Sequence, residues 1–378
     1  MIMLTDYNIL VVTIIALFIY YLESRVFYQK IVIICSSLLV YYIFAGYFVF
    51  YFLLVVILSY SGVFVLRRYQ WRLLSNLLGV SVPLSGLIWF KYYHFIVNEF
   101  GLGWNYYLPA GISFFTFQAM SYFLDMKKNN STADPKLVDA LMYMTFYPQV
   151  IAGPIVKFDF FNDQIELKKL ELPRIASGIK LVVSGMFLKV VLADNIAEFT
   201  ILLGSSDFVR VSLLYSKILL VLSYSFQILM DFAGYSLMAI GYGSLFGYKL
   251  PANFNMPYIS RSFKEFWKRW HITLGSFLME YLYIGFLGGS RFGKTLRNLL
   301  VTMILGGMWH GGTVSYLLWG VYHGTCLVLE RKFNRSHGSV TFIAVTLGWL
   351  FFIYPSIDDF RFFLENSSTA SKSPTAPL

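Results

Sequence analysis

Between Ile31 and Leu66 the sequence contains no Asp, Glu, Lys or Arg, and this run limits the possible folds more than any other feature. A single helix of that length, at ~1.5 Å per residue, would far exceed the ~30 Å hydrocarbon core of a bilayer. The run therefore predicts a helical hairpin turning near Ala45 and Gly46. Antiparallel helices put the break Glu23–Lys30, with Arg25 and Lys30, on the same side as Arg67, Arg68 and Arg72. Two basic breaks on one side read as cytoplasmic, which leaves the N-terminus, with Asp6 and no Lys or Arg, outside. Leu73–Tyr93 then crosses outward, Tyr107–Leu124 crosses inward, and Lys127 and Lys128 fall on the cytoplasmic side.

Similar apolar runs recur along the whole chain. Ile9–Leu22 has no basic residue before it and no small-residue cleavage site after it, and reads as a retained helix. Further runs cover Leu137–Val156, Ile175–Leu192, Val211–Met230, Leu237–Phe246, Leu299–Trp309, Tyr316–Leu329 and Val340–Tyr354. Lys157–Arg174 is polar, and Asn253–Arg297 is rich in charge and aromatic rings without a spanning apolar stretch, which predicts re-entrant or interfacial segments. Only 13% of residues are charged, against roughly 25% in a soluble domain. The expected fold class is all-α: a polytopic transmembrane helical bundle with about 10 to 12 membrane segments. Residues 1–365 read as one domain, and 366–378, rich in Ser, Thr, Ala and Pro, as a disordered tail or an expression remnant.

The net charge of +10 does not imply nucleic acid, because the basic residues sit in short breaks and form no continuous basic domain. Membrane lipids are the partners that this pattern implies. Cys35 and Cys326 each lie inside an apolar run, so neither a disulfide framework nor a thiolate metal site is expected.

Ionisable groups at membrane depth cost several kcal/mol unless paired or hydrated, so they are the first candidates for chemistry. In RSFKEFWKRWHITLGSFLMEYLYI (Arg261–Ile284), a helix would align Phe263, Phe266, Trp267, Trp270 and Leu274 on one stripe, with Arg261, Lys264, Glu265 and Lys268 opposite. On spacing alone His271 at the stripe's edge belongs to an interfacial helix with a snorkelling basic face. His310, in MILGGMWHGG, lies between Gly306–Gly307 and Gly311–Gly312, which suggests a broken or thinned helix lining a cavity. Two readings stay open: a neutral general base, or a packing histidine bonded to a backbone carbonyl. Asp231, at the end of an apolar run, could fix a histidine tautomer, hold water or pair with Arg269. Glu280, Tyr281 and Tyr283 follow His271 closely enough to line the same cavity, whereas His94, His323 and His337 read as structural. No G-x-S-x-G, Walker, H-E-x-x-H or C-x-x-C pattern supports a serine hydrolase, an ATPase or a zinc site.

Several blocks in fixed order resemble the bacterial branch of the membrane-bound O-acyltransferases: LPAGISFFTFQAMSY (Leu108–Tyr122), FYPQVIAGPIVKF (Phe146–Phe158), SGMFLKVVLADNIA (Ser184–Ala197), YSFQILMDFAGYSLMAIG (Tyr224–Gly241), LPANFNMPYISRSFKEFWKRWHITL (Leu250–Leu274) and LGGSRFGKTLRNLLVTMILGGMWHG (Leu287–Gly311). The LGGSR block is more similar to the alginate-type polysaccharide O-acetyltransferases than to the D-alanyl transfer proteins of teichoic acid. Leu237 stands where relatives usually have Asp, and Met279-Glu280 where they usually have Arg-Asp. The chain also stops earlier than most relatives, so the resemblance leaves final helices unaccounted for.

The resemblance implies helices around a central channel in a multi-pass bacterial plasma-membrane protein. It makes His310 the catalytic histidine and His271 the second active-site histidine, which reverses the reading of His271 from spacing. Asp231, Trp267, Arg269, Trp270, Glu280, Tyr281, Asn298 and Trp309 become substrate-binding or supporting residues. The implied reaction moves an acyl group, acetyl by preference, from a cytoplasmic thioester such as acetyl-CoA to a hydroxyl of an extracellular polysaccharide or a partner protein. It needs no bound cofactor and implies a separate extracytoplasmic acetyl-handling partner. Lys264, Lys268 and Arg269 are then expected near the cytoplasmic interface, facing donor phosphates. D-alanyl transfer to lipoteichoic acid is the rival within the family. A polysaccharide transporter using the histidines and Asp231 as a proton relay is the rival from another class.

Overall fold

The chargeless run folds as its length requires. Val26–Ala45 (α2) ends at Gly46, whose φ of 55° suits a residue without a side chain, and Phe48–Tyr69 (α3) returns. A computed structural model of the protein describes residues 4–93, 109–128, 136–151, 153–204, 213–335, 337–356 and 361. His94 and the tail from 366 lie outside the described residues. Among the described residues the regular structure is helical, with no strand.

Tyr7–Leu22 (α1) precedes the hairpin, and Arg72–Tyr93 (α4), Ile112–Lys128 (α5) and Leu137–Thr145 (α6) follow it. Next come Leu172–Leu203 (α7), Leu213–Leu245 (α8), Phe263–Arg269 (α9) and Ile272–Phe286 (α10). Thr295–His310 (α11), Val314–Phe333 (α12) and Gly338–Ile353 (α13) complete the series. By length and composition α2, α3, α4, α7 and α8 can each cross a membrane, and α1, α10 and α13 are shorter apolar helices.

Contacts divide the chain into two compact units, Ile2–Ser184 with Tyr235–Pro251, and Gly185–Gly234 with Ala252–Leu378. In the first, α3 packs on α5 and α2 on both α1 and α6. Arg67 donates to the Met126 carbonyl at 3.4 Å and Lys127 to Asn76 at 2.8 Å, so the Arg67–Arg72 and Lys127–Lys128 breaks meet at one end, as the outward and inward crossings between them predict. Gln29 is buried where it bonds the carbonyls of Tyr20 and Lys168, and an ion pair joins Lys30 to Asp139.

Three sequence expectations change. Val211–Met230 and Leu237–Phe246 are not separate segments, because α8 runs unbroken through Asp231. Lys189, on the π-helical stretch Phe187–Ala193 of α7, reaches Asp231 at 2.7 Å, and a carboxylate paired in this way can be kept within an apolar helix. The stripe drawn from Phe263 to Leu274 is not one helix, because the chain breaks at His271 between α9 and α10. Finally, α11 is not broken by Gly306 and Gly307 but continues to His310. A Cβ at Gly307 would stand 2.3 Å from the Tyr316 carbonyl oxygen, and one at Gly320 would stand 2.5 Å from that of Met303. These glycines let α11 and α12 approach backbone to backbone, as small residues do between membrane helices.

Candidate functional site

All the residues of the candidate site belong to the second unit. His271 is held by a backbone break that its neighbours enforce. Its φ of 43° and ψ of 55° are left-handed, a region non-glycine residues enter at a cost of about 1–3 kcal/mol and keep only where surroundings fix them. The fixing residue is Asn253, 1% exposed. Its carbonyl accepts from Ile272 N at 2.9 Å, and its side-chain oxygen accepts from the Thr273 hydroxyl at 2.6 Å and the Thr273 amide at 3.3 Å. The His271 ring is buried, edge-on to Phe232 at 4.7 Å. Phe232 directly follows Asp231, so the ion pair with Lys189 fixes the stretch of α8 that faces this histidine.

His310 is the last residue of α11, and Gly311 leaves the helix in an extended conformation. A Cβ at Gly311 would meet the Tyr316 ring at 2.1 Å, so only glycine lets the chain turn there. The half-buried His310 ring packs edge-on to Trp319 and Phe352, each at 5.1 Å, with Tyr316 at 6.5 Å. Trp309 contacts both histidines, at 5.0 Å from His310 and 6.1 Å from His271. The two histidines are thus one indole apart in space.

α9 carries the wall beside them. Glu330 on α12 accepts from the amides of Phe263 at 2.6 Å and Lys264 at 3.2 Å, and Ser262 caps the same turn by accepting from Glu265 N at 3.0 Å. The Arg261 amide, and after it the Arg269 guanidinium, hold the Glu265 carboxyl below its ordinary range. Trp270 packs into the aromatic core with Phe266, Trp319, Trp349 and Phe352. Trp267, half-buried, stands edge-on to Trp319 at 5.5 Å. Lys264 and Lys268 are exposed.

The structure brings His271, Trp309, His310, Trp267 and Trp270 into one connected aromatic assembly. It does not pair Asp231 with Arg269: Asp231 bonds Lys189, and Arg269 bonds Glu265 at 2.9 Å and the Asn255 carbonyl at 3.0 Å. Glu280 and Tyr281 lie on the π-helical stretch Leu278–Phe286 of α10, with Tyr281 against Phe277 at 4.8 Å. Asn298 sits three turns before His310, roughly 18 Å at ~1.5 Å per residue. It donates there to the carbonyls of Leu287 and Gly289, at 2.9 and 2.6 Å, and so anchors the LGGSR loop. Sequence reasoning missed Asn253, Glu330 and Trp319. Asn253 had a signal, a short polar residue after Pro251 where side chains substitute for backbone partners. Glu330 is far away in sequence and had none.

Apolar spans and an aromatic-walled pair of histidines, one buried and one half-buried, define the class: a membrane-embedded protein with ionisable side chains within it. Residues 38–337 match the profile of MBOAT, the membrane-bound O-acyltransferase family, and the chain belongs to that family. It is similar to the probable alginate O-acetylase AlgI of Pseudomonas putida, 38% identical over 298 residues that cover 73% of this chain and 61% of the relative. The peptidoglycan O-acetyltransferase of Helicobacter pylori is 36% identical over 324 residues, 73% of this chain and 61% of the relative. The teichoic acid D-alanyltransferase of Bacillus subtilis is 27% identical over 241 residues, 60% of each. The chain spans about three fifths of the length of the curated relatives it matches. With its apolar helices, this makes it a multi-pass bacterial membrane protein.

Proposed function

We propose that this chain carries the acyl-transfer site of an O-acetyltransferase that modifies a hydroxyl of a cell-envelope polysaccharide. The observation that carries the reading is the contact of one indole, Trp309, with both His310 and His271. An unassisted sugar hydroxyl is a poor nucleophile at neutral pH, and a base within reach is what the reaction lacks. His310 takes the hydroxyl proton through a ring nitrogen as the oxygen attacks the thioester carbonyl. His271 stabilises the charge that develops on the carbonyl oxygen or orients the hydroxyl. The tetrahedral intermediate collapses with cleavage of the carbon–sulfur bond, and the departing thiolate recovers the proton from His310, leaving an ester and a free thiol.

Acetyl-CoA is the proposed donor, with exposed Lys264 and Lys268 on α9 supplying charge for its phosphates. Relatives named for alginate and peptidoglycan O-acetylation favour a saccharide acceptor; the alternative acceptor is a hydroxyl of a separate extracytoplasmic partner, which would then pass the acetyl group to the saccharide. D-alanyl transfer is the weaker reading, since the relatives of that name are less similar.

The test is acetyl transfer by purified full chain with [14C]acetyl-CoA, alongside mass analysis of surface glycans with and without the gene. His310→Ala is expected to lower turnover by about 10²- to 10⁴-fold, the range of general-base catalysis, in a protein that still folds and inserts. His271→Ala is expected to lose less, because water partly replaces an orienting group. Near-normal turnover in His310→Ala would remove the mechanism.

A further inference from the structure

Behind His310 the aromatic wall contains polar atoms that the reaction above does not use. Trp319 lies between His310, at 5.1 Å, and His323, at 4.8 Å, and Trp267 stands edge-on to His323 at 5.2 Å. His323, on α12, is 0% exposed and Trp319 2%. Neither ring nitrogen of His323 has a hydrogen-bond partner among the described residues, and neither does the indole N–H of Trp267 or of Trp319. The Thr346 hydroxyl is in the same condition, two residues before Gly348, where a Cβ would come 2.5 Å from His323 Nε2.

Buried side-chain polar groups are bonded in the large majority of cases, and each orphan costs about 1–3 kcal/mol. A single orphan is a tolerable defect. Three mutually touching side chains, all with unused nitrogens, are a different matter when one of them also touches His310. From this clustering we infer that His323, Trp267 and Trp319 form an inner subsite that holds an uncharged amide or hydroxyl group of a substrate beside His310. The inference rests on the acyl-transfer reading.

The donor and acceptor inventory sets the chemistry. Each indole donates only, and a neutral imidazole donates once and accepts once. The cluster therefore offers three donors and one acceptor, which matches an oxygen that receives from the indoles and an N–H or O–H that gives to the imidazole. An amide in the arm of a thioester donor has both, and so does the hydroxyl of a saccharide acceptor. The aromatic walls favour an uncharged group, because an ion in contact with them would lose its hydration without a counter-charge.

The experiment compares the intact protein with His323→Leu, which removes both nitrogens, and with His323→Gln, which keeps a donor and an acceptor. Equilibrium binding is measured separately for acetyl-CoA and for an unacetylated mannuronate oligomer, and thermal unfolding is measured without either. His323→Leu is expected to weaken one of the two ligands by about tenfold, the scale of one neutral hydrogen bond, with His323→Gln within about threefold of the unmodified protein. Loss confined to acetyl-CoA assigns the subsite to the thioester arm, and loss confined to the oligomer assigns it to the acceptor hydroxyl. If His323→Leu binds both ligands normally, the cluster is dry packing and the inference is overturned. If the unmodified protein neither binds nor consumes acetyl-CoA, the acetyl-CoA reading falls, and the subsite is then decided by the oligomer, whose normal binding by His323→Leu overturns it. The unfolding temperature serves as the control for the fold, because removing two unpartnered nitrogens is expected to raise it whether or not the site takes a ligand.

Discussion

Adjacent glycines on α11 ought to respond in opposite ways to the same substitution. In mid-helix, Gly→Ala stabilises by up to about 1 kcal/mol through helix propensity alone. At Gly306 the new methyl group would meet only Leu278 Cδ1, at 3.2 Å, and the end of a leucine side chain can give by a few tenths of an ångström. At Gly307 it would stand 2.3 Å from the Tyr316 carbonyl oxygen and 3.0 Å from the backbone of Gly320. Backbone cannot yield that way, so α11 and α12 must separate by an amount on the order of 1 Å, and overpacking of this kind costs typically about 1–3 kcal/mol. Gly306→Ala should therefore be neutral or slightly stabilising, and Gly307→Ala destabilising by roughly 1–2 kcal/mol net. The functional effect should be larger than the stability effect. Tyr316 and Trp319, which wall His310, are on the helix that moves, and a misplacement near 1 Å can cost about 10²-fold in rate. Thermal unfolding in detergent and acetyl transfer, measured on both variants, form the assay. Equal unfolding temperatures and equal rates would show that the helices do not meet through this glycine.

Asn253→Ala strips the Thr273 hydroxyl and amide of a buried acceptor, at an expected cost of about 1–3 kcal/mol. Its loss of transfer activity should match that of His271→Ala, and chemical denaturation with transfer assays on both variants checks this. Single cysteines placed between Arg67 and Arg72 are expected to resist impermeant thiol reagents in intact cells, as should cysteines at Lys127, because the structure brings these breaks to one end. Labelling of either set from outside would reverse the orientation.

What was legible in the sequence depended on whether the deciding interaction was local. The α2–α3 hairpin was legible because length, lack of charge and Gly46 all lie within the segment they shape. The continuity of α8 was not, since an acid at the end of an apolar run signals a terminus until Lys189 neutralises it. The break at His271 was hidden for a similar reason. The 3.6-residue stripe runs through it without a gap, and only Asn253, from a preceding loop, makes the left-handed turn favourable. At His310 the glycines suggest a broken helix lining a cavity, whereas Gly307 admits the backbone of α12, and spacing cannot distinguish a helix from a ligand. The pairing of His271 with His310 came from the resemblance to a family. The indole that joins them became visible only in the fold.

α12 carries neither proposed catalytic histidine, yet it is the reference for both. His310 is set against it by the backbone contact at Gly307 and by the rings of Tyr316 and Trp319. His271 is set against it through α9, whose first turn hangs on Glu330 and whose Trp267 meets Trp319. The two attachments are separable, because the bonds of Glu330 to the amides of Phe263 and Lys264 hold α9. Glu330→Ala removes the acceptor of two first-turn amides, and loss of a helix cap typically costs about 1 kcal/mol, within a range of roughly 0.5–2. Opening free energies lowered by 1–2 kcal/mol correspond to about 5- to 30-fold faster exchange. Amide hydrogen exchange should therefore accelerate by that factor over Phe263–Arg269 and stay unchanged over Thr295–His310. Transfer should fall toward the level of His271→Ala and not to that of His310→Ala. Acceleration spread evenly over α9 and α11 would mean that the two histidines are not held independently, and the division of labour between the attachments would be wrong.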